Sequence, residues 1–163
     1  MAGLATVEEV ADGDSPAGVG SLYEQDFARW AFREAEILQA GRLDELDLAN
    51  LVEEIESLGR EQFDKIRSHF RIILLHMLNW DQQPERRTRS WTLSIRDARD
   101  QVDTTVESSP SLKRRRQEAV ASAYRGARLR AALETDLPLS TFPEKCPYGF
   151  DEILNRPFLW SDD

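Results

Sequence analysis

At 163 residues, 40% hydrophobic and 31% charged, the chain is long enough to bury a core without disulfide or metal staples and has the composition of a soluble, helix-rich protein. Its net charge of −9 disfavours nucleic-acid binding, which needs a positive footprint. No apolar run nears the ~18 residues of a membrane span, and a lone cysteine, Cys146, suits a reducing, cytoplasmic setting.

The charge is unevenly spread. Residues 1–66 hold 16 acids and 5 bases, residues 67–134 hold 8 acids and 14 bases, and residues 135–163 hold 6 acids and 2 bases. The simplest arrangement sets the acidic layer against the basic layer within the fold; self-association through the two patches is less economical. In chain order, residues 1–20 are small, polar and aperiodic, with neither the basic nor the apolar region of a signal peptide. A disordered tail is expected there, and residues 21–163 are expected to form a single helical domain.

Helical periodicity starts at Tyr23 and repeats at Phe27, Trp30, Ala31 and Leu38, with Gly41 as the stop signal. A second stripe, Leu48, Leu51, Val52, Ile55 and Leu58, continues in phase through Phe63, Ile66, Phe70, Ile73 and Met77. Gly59 therefore lies inside one long helix or at a slight break. The run "IILLHML" is apolar all round, as in a helix surrounded by neighbours, and Pro84 ends it. Trp91, Ile95, Ala98, Val102 and Val106 mark a third helix. Ser109 and Pro110 then suit the N-cap and first turn of a fourth helix. That helix runs to about Glu134, with Ala119, Ala123, Ala127 and Ala131 giving a face for close packing. Prolines 138, 143 and 147 predict an extended strap, followed by a short helix near Asp151–Asn155 and an apolar end, "PFLW". No β alternation of useful length occurs, so the fold class is all-α, a bundle of about four main helices.

The ordered motifs "YEQDFARW", "LDLANLVEEIESLGR", "LLHMLNWDQQPERRTRSW", "SPSL" and "FPEKCPY" together resemble the bacterial family catalogued as domain of unknown function 29, over roughly residues 21–160. The resemblance implies a compact helical domain and carries no activity, cofactor or catalytic residue with it.

Several clusters could carry chemistry. Glu53, Glu56 and Asp64 share one helix face and could hold Mg²⁺, as in all-helical nucleotide pyrophosphatases. That face lies opposite the apolar stripe, and Arg60 sits four residues from both Glu56 and Asp64, as in an exposed ion-pair ladder. His69 and His76, seven apart, are about 10 Å from each other on a helix, too far to share one metal, and suit the core boundary. Cys146 lies between prolines with no histidine nearby in sequence, so a buried strap residue is expected. The tract Lys113, Arg114, Arg115 and Arg116 falls in the first two turns of a helix starting at Pro110, where the macrodipole disfavours cations; internal or inter-subunit pairing should offset this. In "LLHMLNWDQQPERRTRSW", Trp80 and Trp91 should wedge a corner between two helices. Arg86, Arg87 and Arg89 there can stack on the tryptophans or hold an anion at a helix N-terminus.

No nucleophile–base pair, glycine-rich phosphate loop or clustered metal ligands stand out. The leading reading is therefore a non-enzymatic interaction or self-association module without a cofactor. Its partner is another protein or a second copy, and its anion- or partner-binding candidates are Arg86, Arg87, Arg89, Trp91, Arg114, Arg115 and Arg116. The alternative is a Mg²⁺-dependent hydrolase of nucleotide-like substrates with Glu53, Glu56 and Asp64 as ligands. Nucleic-acid binding through the two basic tracts is third.

Overall fold

A computed structural model describes residues 21–160. The expected tail, residues 1–20, lies outside the described residues. Among the described residues six α-helices, α1 (Leu22–Gln25), α2 (Phe27–Gln39), α3 (Leu48–Gln82), α4 (Arg89–Ser108), α5 (Arg116–Thr135) and α6 (Phe150–Asn155), are joined by short 3-10 turns and irregular segments. No strand occurs among the described residues, and the fold class is all-α. By its contacts the chain divides into two compact units, Met1–Glu53 and Glu54–Asp163.

In the first unit the helix expected from Tyr23 is broken at Asp26. Ser21 closes a capping box with Glu24 around the single turn of α1, and the Asp26 carboxylate then accepts the Arg29 N–H to start α2. Trp30, Glu34 and Ile37 are the buried residues of α2, while Phe27 and Leu38 of the expected stripe are exposed. The burial follows from one polar latch. Asp47, preceding α3, accepts from Trp30 Nε1 at 3.2 Å and from Asn50 Nδ2 at 2.7 Å, and its own N–H donates to Glu34 Oε2 at 2.9 Å. The Asn50 hydrogen bond, aided by Trp30, holds the Asp47 carboxyl below the usual carboxylate range. At the end of α2, Arg42 N–H donates to Ile37 O and Gly41 N–H to Leu38 O, the paired bonds of a Schellman motif. They require the left-handed φ of +70° at Gly41.

The second unit holds the core. α3 runs unbroken through Gly59 for 35 residues, about 50 Å. Its stripe is buried from Ile66 through Phe70, Ile73, Leu74, Met77 and Leu78, against Ile95, Ala98 and Val102 of α4. From α5 come Ala119, Ala123, Ala127 and Ala131, each nearly or wholly buried, and Phe142 and Ile153 close the cluster. The alanine face is the buried face of α5, as its spacing implies. Upstream the expected stripe is not covered: Leu48 is 60%, Val52 55%, Ile55 66% and Leu58 61% exposed. The periodicity correctly reports an amphipathic helix, but α3 is much longer than the 20-residue α4 and α5. α5 also starts later than expected. Pro110–Arg115 forms a 3-10 segment, and Ser109 makes no side-chain cap bond.

The two glycines respond oppositely to substitution. A methyl group added at Gly59 would meet nothing within 4 Å, and the backbone there is ordinary helix, so Gly59→Ala should raise the unfolding free energy by ~0.5–1 kcal/mol. Gly41→Ala forces a Cβ into the left-handed region and should lower it by ~1–2 kcal/mol. Urea denaturation of both variants checks the pair of signs.

Candidate functional site

At the Trp80–Trp91 corner the arginines and tryptophans are tied to one another. Arg87 Nε donates to Trp80 O at 2.9 Å, and its guanidinium lies 4.7 Å from the Trp80 ring centroid. Thr88 caps α4 by accepting from Trp91 N–H, and the half-buried Trp91 ring stacks on His76. Arg86 and Arg89 are exposed. Arg87 and Trp91 are thus built into the corner, a use that needs no ligand.

The other side of Trp80 carries a network whose members are remote in sequence. Phe158 packs edge-on to Trp80 at 5.5 Å, and the guanidinium groups of Arg99 and Arg156 lie 5.5 and 5.0 Å from its ring centroid. Arg99 donates to Ile153 O and Arg156 O, both at 2.9 Å, and so holds the C-terminal end of α6, where the unpaired helix carbonyls carry partial negative charge. Arg156 forms a forked pair with Asp81, at 2.6 and 3.0 Å, and Tyr148 OH donates to the same carboxylate at 2.9 Å. The Asp81 hydrogen bond keeps Arg156 firmly protonated, whereas burial, together with the Asp81 charge, pushes the Tyr148 hydroxyl far up. "PFLW" is therefore an arm packed by Phe158, with Leu159 and Trp160 exposed.

In the basic tract, Lys113 and Arg114 are exposed. Arg115 lies 4.0 Å over the Phe63 ring and pairs with Glu118 at 2.9 Å; Arg116 lies 5.2 Å over Phe150. Because the 3-10 segment places three of these cations before α5 begins, the macrodipole penalty falls mainly on Arg116. Among the acids, Glu56 pairs with Arg60 at 3.2 Å and Asp64 with Arg67 at 3.0 Å. These charges are satisfied within one helical turn, not between an acidic and a basic layer as expected. Glu53 is exposed, and no three His, Cys, Asp or Glu side chains are grouped to hold a metal ion among the described residues. Cys146 is half-buried, with Sγ 3.7 Å from Tyr148 O, and burial pushes its thiol up.

A site that the sequence did not reveal lies between α3 and α5. It is a groove of about 520 Å³ lined by Arg71, Ile72, Leu75, Gly126, Leu129, Arg130, Leu133 and Glu134. Gly126 sits inside a helix, where glycine costs about 1 kcal/mol against alanine, and the structure supplies its reason. A Cβ there would come within 3.2 Å of Arg71 Cδ, so the missing side chain lets Arg71 lie across α5. Leu129 and Leu133 are exposed along the groove, Leu133 at 73%. Arg130 pairs with Glu134 at 2.7 Å, and the other Glu134 oxygen accepts from Asn79 Nδ2 at 3.1 Å. Beneath this rim, Asn79 Oδ1 and His76 Nδ1 are buried without a hydrogen-bond partner. The chemistry on offer is apolar contact flanked by guanidinium groups.

Residues 22–159 match the model of the family described as domain of unknown function DUF29. Comparison with curated proteins and with solved structures gives no match.

Two measurements test this geometry. Asp81→Asn leaves Arg156 and Tyr148 without their anion and should cost ~1–3 kcal/mol, read as a lowered midpoint in denaturant. Burial lowers the His76 pKa, opposed by the Glu134 charge, and burial also lowers that of His69. The unfolded chain therefore takes up protons first as pH falls. Stability should drop on acidification from about pH 6.5 until the folded-state pKa is passed. His76→Leu should flatten that slope, and thermal melts along the pH series would show it.

Proposed function

We propose that this chain, which belongs to the family described as domain of unknown function DUF29, is a protein-interaction module that receives an acidic amphipathic helix in the groove between α3 and α5. The observation carrying this reading is the pairing of Leu129 and Leu133, left exposed along the groove, with Arg71 drawn over Gly126 beside them. Fully covering a leucine side chain is worth about 1.5–3 kcal/mol. Two leucines four residues apart present a ridge that an apolar helix face can cover in the helix-in-groove manner.

Charge selects among helices. Arg71 and Arg130 line the groove, and Glu134 is already engaged by Arg130 and Asn79. Arg125, four residues before Leu129, adds a cation to the same side of α5. Glutamates flanking the apolar face of an incoming helix would meet these guanidinium groups, and lysines would be repelled. Such complementarity sets orientation and on-rate more than affinity.

A synthetic helix with leucines at positions one, four and eight and glutamates beside them is the probe, followed by fluorescence anisotropy. It should bind the full chain and weaken by at least about ten-fold, ~1.4 kcal/mol, in the double variant Arg71→Glu/Arg130→Glu. A lysine-flanked version should not bind. Equal binding of both peptides, or of the double variant, would remove the reading.

A further inference from the structure

We infer that the helix received by this groove is supplied by a second copy of the chain, through the uncovered apolar stripe in the N-terminal half of its α3. This rests on the groove being a docking site for an acidic amphipathic helix, and it names the occupant. The stripe has the required form. Val52, Ile55 and Leu58 recur at helical spacing on one face and are more than half exposed. They lie in phase with Ile66, Phe70 and Ile73, which are wholly buried further along the same helix. The stripe continues a core-forming face along the same helix, and large contiguous apolar patches mark interaction sites.

The flanks have the required charge. Between Leu48 and Asp64 the helix carries Glu53, Glu54, Glu56, Glu61 and Asp64 against a single base, Arg60. At 100° per residue, Glu54 and Glu61 fall on one side of the stripe and Glu56 on the other. Docking two such stripes on each other would crowd like charges, which destabilises a helix pair. Docking the stripe beside Arg71 and Arg130 brings opposite charges together instead. The contact is heterologous, a surface of one copy meeting a different surface of the next. The two surfaces lie in the acidic and basic thirds of the sequence, so the contact gives the charge asymmetry a use between copies.

The test is complementation with the full chain, followed by sedimentation velocity. Ile55 and Leu133 are both exposed, so Ile55→Asp and Leu133→Asp leave the core intact, and circular dichroism confirms the fold. Wild type should self-associate, and each variant alone should weaken association at least about ten-fold. An equal mixture should form a one-to-one pair, because the Ile55→Asp chain keeps its groove and the Leu133→Asp chain keeps its stripe. Four results would overturn the inference: a wild type monomeric at every concentration, self-association lost in only one variant, self-association kept in both, or variants that fail to pair when mixed. A monomeric wild type that still binds the glutamate-flanked peptide would leave the groove's function standing and remove only the second copy.

Discussion

The packing of the alanine face of α5 into the core is the constraint on which the second unit depends. Four alanines at spacings of four put no side chain larger than a methyl on the inner face of α5, and each is almost wholly buried. Ile66, Phe70, Ile73 and Met77 of α3 share one buried cluster with them. On the flank of the same helix, Gly126 extends the small-residue surface by one position and admits Arg71. Core and groove therefore share one cause. A larger residue on the alanine face would push α5 outward, and the groove walls would separate with it. Overpacking of this sort typically costs about 1–3 kcal/mol, so groove geometry and stability are coupled.

Several polar groups inside the chain are held by partners from distant sequence. Glu34 is buried because Asp47 offers its backbone N–H, and Asp47 is fixed because Trp30 and Asn50 donate to it. Asp81 does the same for Tyr148 and Arg156. Arg99, whose side chain ties down the end of α6, has its pKa lowered by burial and by the neighbouring Arg156 charge. It nevertheless stays far above neutrality, as guanidinium groups do. These three carboxylates and two arginines tie down α2 and α6, which are too short to be stable alone.

Much of the architecture was legible in the sequence, and the parts that were not share a reason. The α3 stripe from Ile66 to Met77, the stop at Gly41, the alanine face and the arginine-on-tryptophan corner are all local patterns, set within a few turns of helix. The exposure of Val52, Ile55 and Leu58 was not legible, because periodicity states which face is apolar and not whether anything covers it. Asp81 and Arg156 are 75 residues apart, beyond any local pattern. The break at Asp26 was signalled: Ser21 with Glu24 is a capping-box spacing, masked by the aromatic repeat from Tyr23. For the groove, the one visible sign was a glycine in the interior of an otherwise good helix, an unfavourable residue that needs a neighbour to explain it.

The distribution of charge bears on what the fold is for. Had the acidic third served mainly to neutralise the basic third inside one molecule, long-range ion pairs would be expected between them. Glu45, Glu56 and Asp64 instead find arginines within four residues, the arrangement of a solvated helix surface, worth little to stability. Arg115 and Arg116 lie over phenylalanine rings, which stabilises them without using an acid. Exposed, locally balanced charges of this kind contribute little to folding but strongly shape encounter between molecules. An exposed apolar stripe with acidic flanks and an exposed leucine pair beside arginines are the two surfaces that the proposed contact between copies would join. The buried core between Ile66 and Ile153 includes neither the Val52–Leu58 stripe nor the Leu129–Leu133 pair.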